Sequence, residues 1–269
     1  MTSPADFTCY LCGGREKVPV ISIGIHAVSA CSACGLGFLD PPAPQGEGGV
    51  SYEQDFYTGQ NMVKDPAEGV RESLSKVRFV RRFRRTGKIL DIGCGLGYFL
   101  EAARREGFSA CGMEGSGFAM EYVRKEFGIP VVPAPVESTT LEESTFDVVT
   151  LWHVVEHLPD PLAALRKIRS LLRDGGILIM ETRNYRGYDA RAQGERWGGW
   201  ALPHHLWHFD PGSYRLLVEK AGFRVVRLKI HNSDHVKKAV RKIPFLGWLR
   251  NPVASMFAGS NQTIVAEKR

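Results

Sequence analysis

Residues 88–98 read KILDIGCGLGY, and this stretch decides the fold. A short β-rich run ending in Asp91 and Ile92 passes directly into a turn with glycine at 93, 95 and 97. A glycine-rich turn between a strand and a helix lets a ligand approach the backbone closely. A dinucleotide fingerprint requires G-x-G-x-x-G/A, but the sixth position here is Tyr98, and Asp91 puts a carboxylate where a pyrophosphate would lie. Like charges repel there. An acid beside a tight glycine turn suits a phosphate-free, cationic nucleoside, which points to S-adenosylmethionine (SAM). Glu114 closes the next candidate strand seventeen residues after Gly97, the place where an acid hydrogen-bonds ribose hydroxyls. A solvent-facing acid at a strand end is the alternative reading. Cys94 inside the turn and Leu151 at the end of a later strand complete the expected cofactor wall.

Outward from this turn, short β-rich runs alternate with helical stretches, the pattern of an α/β parallel sheet covered on both faces. The spacing predicts strands over 88–92, 110–114, 131–134, 146–151, 177–182, 223–230 and 263–266. Asp160 and Asp210 read as N-caps, each followed by proline at the first helical position, while Gly175 and Gly222 read as the ends of those helices. Before the sheet, Val70, Leu74, Val77, Val80 and Phe83 fall at helical spacing over 67–85 among many arginines, which reads as a lid helix.

The chain begins with a different kind of unit. Cys9 and Cys12 form one CxxC pair, Cys31 and Cys34 a second, and eighteen residues separate the two pairs. This spacing predicts a four-thiolate zinc site. Gly13, Gly14 and Gly35 follow the pairs and permit the tight turns that aim two thiolates at one ion. A closed four-cysteine site has no open position, so the expected role of Zn2+ is structural. Reduced buried cysteines are the alternative. Pro41, Pro42, Pro44, Gly46, Gly48 and Gly49 then read as a linker. The expected organisation is a zinc-binding module over 1–45, linker and lid helix over 46–87, and the main domain over 88–269.

Composition frames the function classes. The 269 residues are 43% hydrophobic and 24% charged, with a formal charge of +6. Room for one α/β domain and a small appendage follows. No apolar run reaches membrane-span length and no leader-like start is visible, so the expected location is cytoplasmic. Six cysteines then point to a reducing compartment where paired cysteines hold metal.

Three stretches carry a family resemblance: FDVVTLWHVVEHLPDP (146–161), GGILIMETRN (175–184) and LPHHLWHFDPGSYRLLVEKAGF (202–223). With CxxCG…CxxCGLGFLDP and YEQDFY (52–57), they make the chain resemble class I SAM-dependent methyltransferases of the ubiquinone-O-methyltransferase-like, methyltransferase domain 23 type. A branch of that family carries an N-terminal four-cysteine module. The resemblance implies a seven-stranded Rossmann-like sheet with an antiparallel last strand and a small zinc-ribbon-like module in front. The family usually shows Gly-Asp at the end of the third strand, where this chain has Ala134 and Pro135. Adenine recognition then falls to neighbours such as Val136 and Glu137.

On the acceptor side, methyl transfer is an in-line displacement that needs alignment in a water-poor pocket. Trp152, Tyr185, Trp197, Trp200, His204 and Trp207 follow strand ends or lie in the loop after the fifth strand, and read either as acceptor contacts or as ordinary packing. His205 is the leading candidate for general base, and resembles the catalytic histidine of related sugar methyltransferases. His153, Glu156 and His157 form HxxEH, read as a second base or metal site, or as support for the cofactor pocket. Related quinone-pathway members carry an acid where His153 stands.

Two stretches, 77–88 and 235–257, are basic and aromatic. The second, with Lys237, Lys238, Arg241, Lys242, Arg250, Phe245 and Trp248, reads as a cap segment inserted over 235–260, either touching an anionic membrane or forming a solvated face. The expected acceptor is a small molecule: oxygen of a sugar, quinone or natural-product scaffold. The rivals are an rRNA base methyltransferase, opposed by LWHV where a base-flipping NPPY-type tetrapeptide would stand, and a non-catalytic SAM-fold binding protein.

Overall fold

The computed structural model describes residues 7–41, 54–59, 62–243 and 247–269. The expected linker positions 42–49, Tyr52 and Phe245 lie outside the described residues. In chain order, β1 (Lys17–Ile23), β2 (His26–Cys31) and β3 (Gly37–Leu39) precede α1 (Gln54–Gly59) and α2 (Pro66–Val80). Then follow β4 (Gly87–Ile92), α3 (Tyr98–Arg105), β5 (Phe108–Glu114), α4 (Gly117–Phe127), β6 (Val131–Pro133) and β7 (Phe146–Trp152). The chain continues through α5 (Pro161–Leu171), β8 (Leu172–Arg183), α6 (Tyr188–Gln193), β9 (Trp207–His208) and α7 (Pro211–Lys220). It closes with β10 (Phe223–Asn232), α8 (Asp234–Arg241), α9 (Arg250–Ala254) and β11 (Ala258–Lys268).

Seven strands form one sheet in the order β10-β11-β8-β7-β4-β5-β6. β11 runs antiparallel to both neighbours, and the pairings from β8 through β6 are parallel. Side chains alternate across the sheet as period-two geometry requires. Ile89, Val148, Ile179 and Val265 face one layer, with Val70, Val77 and Val80 of α2 and Phe99, Ala102 and Ala103 of α3. Leu90, Val149, Leu178 and Ile264 face the other, with Leu165 and Ile168 of α5 and Tyr214 and Leu217 of α7. Of the stretch read as a lid helix, residues 66–80 form α2, whose valine stripe is covered by strand and α3 side chains.

The helix ends follow the sequence signals. Asp160 accepts from the Ala163 amide, and Asp210 forms a capping box with Ser213, each before a proline at the first turn. Gly222, with φ +90°, ends α7 as expected. Gly175 does not end α5. That helix stops at Leu171, and Gly175, at φ +67°, bends the start of β8.

The N-terminal strands build a second sheet in the order β1-β2-β3-β9. Its last strand comes from far along the chain: Gly37 pairs with His208 and Phe38 with Trp207. The Leu39 amide also donates to the Leu206 carbonyl, and the Tyr185 hydroxyl to the Gly35 carbonyl. Tyr10 hydrogen-bonds Asp160, accepts from the Leu162 amide, and packs on the Trp207 ring at 4.7 Å. Cys9, Leu11, Cys31 and Leu36 belong to the same apolar cluster as α5 and α7. The cysteine-bearing segment and the main sheet thus share a core.

The β3–β9 junction depends on a missing side chain. A Cβ at Gly37 would lie 2.8 Å from His208 Cβ and 3.0 Å from its carbonyl oxygen. Gly37→Ala is therefore expected to destabilise the protein by about 1–3 kcal/mol in urea unfolding, as overpacked cores do. A midpoint equal to that of the parent protein would show that the junction carries no strain.

Candidate active site

The turn after β4 is built by backbone conformation. Gly93, Gly95 and Gly97 all have positive φ (66°, 51° and 73°), a region that side chains rarely adopt. Added Cβ atoms at Gly93 and Gly97 would sit 2.5 Å from Val154 and 2.7 Å from Val123, whereas Gly95 meets only the Tyr57 ring at 3.7 Å. The chain is pinned at the outer glycines and open at the middle one. Tyr57 of α1 is buried with Leu96 and Ala119 and lies beside Phe118. It is one part of the site that the sequence did not single out, although YEQDFY was the signal.

Two acids flank this turn at the carboxyl ends of β4 and β5. Asp91, 2% exposed, accepts from Thr150 Oγ1 at 2.6 Å. Burial pushes its carboxyl up to about 7, against the Thr150 hydrogen bond and the charge of Lys76. Glu114 lies across the turn, accepting from the amides of Gly95 at 2.8 Å, Gly115 at 2.7 Å and Ser116 at 3.0 Å. Oε1 takes both of the last two, while Oε2 accepts only from Gly95 and has room for a further donor. Cys94 and Leu151 are buried behind the turn, and Val136 is buried at the start of the turn after β6, while Glu137 is exposed. An acid that a cation would stabilise, a second acid with spare acceptor capacity and an open glycine together match the chemistry of a cationic nucleoside.

A polar network runs from the end of β7 across the sheet. His153 holds a left-handed φ of 60°, rare outside glycine and frequent at functional sites. Its Nδ1 is 3.4 Å from Glu156 and its Nε2 3.2 Å from Glu181 Oε1. The other Glu181 oxygen accepts from Thr263 Oγ1 at 2.9 Å and lies 3.2 Å from His231 Nε2. Burial opposes charge on His153, but the hydrogen bonds to Glu156 and Glu181 outweigh it and raise its pKa. Burial alone would likewise raise Glu156, yet His153, helped by His205 and His157, brings it down to about 2. Glu181 and His231 were absent from the sequence expectation. The only trace of Glu181 there is an acid ending the apolar run ILIMET, like Glu114 before it.

The histidines after α6 surround the same Glu156. His205 Nδ1 donates to the Gly199 carbonyl at 2.9 Å, which leaves the Nε2 lone pair as acceptor. Burial lowers its pKa to about 4, so the ring is neutral at pH 7. His157 Nδ1 faces the His204 carbonyl at 3.0 Å, and its ring packs edge-on to His205 at 4.7 Å. His204 itself is exposed. Among the described residues, the HxxEH segment does not gather a third ligand atom close enough to hold a metal.

The expected acceptor aromatics fall in two places. Trp152 is wedged between Phe99 and the Lys76 ammonium, which stands 4.8 Å over its ring. Tyr185, Trp197 and Trp200 are buried against Val28 and Ala30 of β2. Trp197 donates to Ser260 Oγ, Trp200 to the Gly194 carbonyl and Trp207 to the Leu158 carbonyl. Tyr185, Trp197, Trp200 and Trp207 thus pack the N-terminal sheet onto the loop between β8 and α7.

The four cysteines converge. Their sulfur atoms all lie within 4.8 Å of one another, with Cys9–Cys34 and Cys12–Cys31 each at 3.6 Å. A tetrahedron with metal–sulfur bonds of about 2.3 Å has edges of about 3.8 Å, while a disulfide would need about 2.05 Å. Both knuckles share one backbone pattern. Gly13 and Gly35 donate to the Cys9 and Cys31 carbonyls, and the Cys9 and Cys31 amides donate to Gly14 and Leu36.

Comparison with known proteins places this geometry. The ubiquinone biosynthesis O-methyltransferase of Escherichia coli O9:H4 (strain HS) is 28% identical over 169 residues, 60% of each chain. That of Actinobacillus pleuropneumoniae serotype 5b (strain L20) is 32% identical over 107 residues, 36% of this chain and 46% of the relative. The chain thus spans about half to three fifths of these relatives' lengths. A SAM dependent methyltransferase from Archaeoglobus fulgidus superimposes with a TM-score of 0.57 at 20% identity, covering 74% of this chain and 94% of the other. The [4+2]-cyclase SpnF superimposes with 0.53 at 18%, covering 72% and 80%. At these identities the superpositions show the fold alone. The glycine turn, both flanking acids and the His153–Glu181 pair all fall within residues 68–228, the stretch matched by the family described as Methyltransferase domain, and the chain belongs to that family.

Proposed function

We propose that the protein is a SAM-dependent methyltransferase acting on an oxygen of a small, quinone-type acceptor. The observation that carries this reading is the pair of buried acids, Asp91 and Glu114, on either side of a turn with three left-handed glycines. SAM, when bound, supplies an electrophilic methyl group on a sulfonium. Asp91 attracts the cationic methionine part, Glu114 accepts from the ribose hydroxyls, and Val136 with the Tyr57 ring shields the cleft from water. The relatives named as ubiquinone biosynthesis O-methyltransferases support an oxygen acceptor of quinone type.

His205 Nε2 is the neutral acceptor that takes the hydroxyl proton of the acceptor molecule. His153 lies between Glu156 and Glu181, whose hydrogen bonds favour its charged form, the form that stabilises a developing oxyanion. The cysteine cluster holds a structural zinc ion, which fixes β3 and, through β9, the loop that bears His205.

The test begins with binding and turnover. Full-length protein is expected to bind S-adenosylhomocysteine in calorimetry and to transfer labelled methyl from SAM to a catechol. Absence of binding would sink the reading. A ligand ammonium beside Asp91 favours the ionised carboxyl, so binding releases a proton where Asp91 is still protonated. Affinity should therefore rise as pH goes from about 6 to about 8 and level off above, because the free-protein pKa is about 7. In Asp91→Asn that slope should vanish, with affinity at pH 8 lower by about tenfold or more.

Two further outcomes address the neighbouring groups. Glu181→Gln removes one of the carboxylates that raise His153, so the imidazole should titrate at lower pH in NMR; an unshifted titration would remove Glu181 from the network. Elemental analysis should find about one zinc per chain. Chelation should speed amide exchange at 206–208 while adenosylhomocysteine still binds, and unchanged exchange would contradict the strut role.

A further inference from the structure

Beyond the cofactor cleft, the carboxyl end of the sheet holds a cavity of about 230 Å³ where β10 and β11 meet α8. Lys229, His231, Ser260, Asn261, Asp234 and Lys237 line it. Its chemistry is lopsided. Asp234 is the one carboxylate of that lining, and Lys237 already neutralises it at 2.7 Å. Lys229 forms no ion pair with any described residue; its ammonium stands 5.6 Å over the Phe79 ring. Asn261 accepts from Arg183 through its Oδ1 at 2.7 Å, which leaves its amide hydrogens as donors. Lys238, Arg241 and Lys242 extend the positive charge along α8 and after it.

The cavity is tied to the chemistry by one carboxylate. His231 on its wall and His153 at the end of β7 stand 3.2 Å from opposite oxygens of Glu181. A group in the cavity is thus linked to His153 through two side chains, His231 and Glu181, at the end of the sheet where open α/β folds bind ligands. We infer that this cavity is the subsite for a phosphoryl group carried by the methyl acceptor, held by Lys229, Lys237 and the Asn261 amide. A double negative charge on tetrahedral oxygens suits an unpaired ammonium, a second lysine that can leave its carboxylate, and a fixed amide donor. The subsite rests on the methyltransferase reading, since it is defined as part of that acceptor site.

The probe is inorganic phosphate, titrated at constant ionic strength into full-length protein saturated with S-adenosylhomocysteine, with calorimetry and the His231 imidazole NMR signals as readouts. Saturable binding that shifts His231 is expected. Lys229→Gln and Lys237→Gln should each weaken it by about fivefold or more, while Lys220→Gln on the remote helix α7 should leave it unchanged. Phosphate binding that is absent, or that survives both cavity substitutions, overturns the subsite while adenosylhomocysteine binding still upholds the methyltransferase reading. Loss of adenosylhomocysteine binding in the parent protein would overturn that reading and the subsite with it.

Discussion

The turn between β4 and α3 is the constraint on which the rest depends. Its outer glycines are clamped against Val154 and Val123, so any side chain there would push the turn out of the sheet. Because the turn is fixed, the amide of Gly95 can meet Glu114, and the ends of β4 and β5 are held at one depth. Asp91 is then trapped beside Thr150 with little access to water, which keeps its carboxyl poised between charged and neutral forms. A poised acid responds strongly to a nearby cation, and a solvent-exposed acid would not.

A second theme is the way carboxylates organise histidines at the other side of the site. Glu156 is buried among rings from two segments, and Glu181 bridges β7 to the outer strands. Three histidines from two segments thereby acquire different properties. His153 gains charge from its two acids, whereas His205 and His208 lose it to burial, falling to about 4 and about 3. Division of labour among chemically identical side chains comes here from depth and partners alone.

How much of this is legible in the sequence depends on the range of the interaction. The strands, the capped helices and the Asp91-to-Glu114 unit are local patterns, and they appear in the structure close to where spacing puts them. The cysteine pairs are legible for the same reason. The stripe Val70, Val77 and Val80 announces an amphipathic helix, but periodicity does not say which surface it covers, and α2 covers the sheet. Tyr185, Trp197 and Trp200 look the same in sequence whether they line a pocket or pack a sheet; only the presence of β2 opposite them decides. Glu181 and His231 stand fifty residues apart, and nothing short of strand register brings them together.

The strand β9 is two residues long, yet it completes one sheet while sitting next to the histidines of the other. Such an arrangement makes the N-terminal segment and the loop that bears His204 and His205 a single inheritable part. A chimera that exchanged residues 7–41 for those of a related enzyme would also have to import the backbone of 206–208. Diversification of this region should therefore proceed by paired changes at two distant places in the chain, and not by swapping a detachable module.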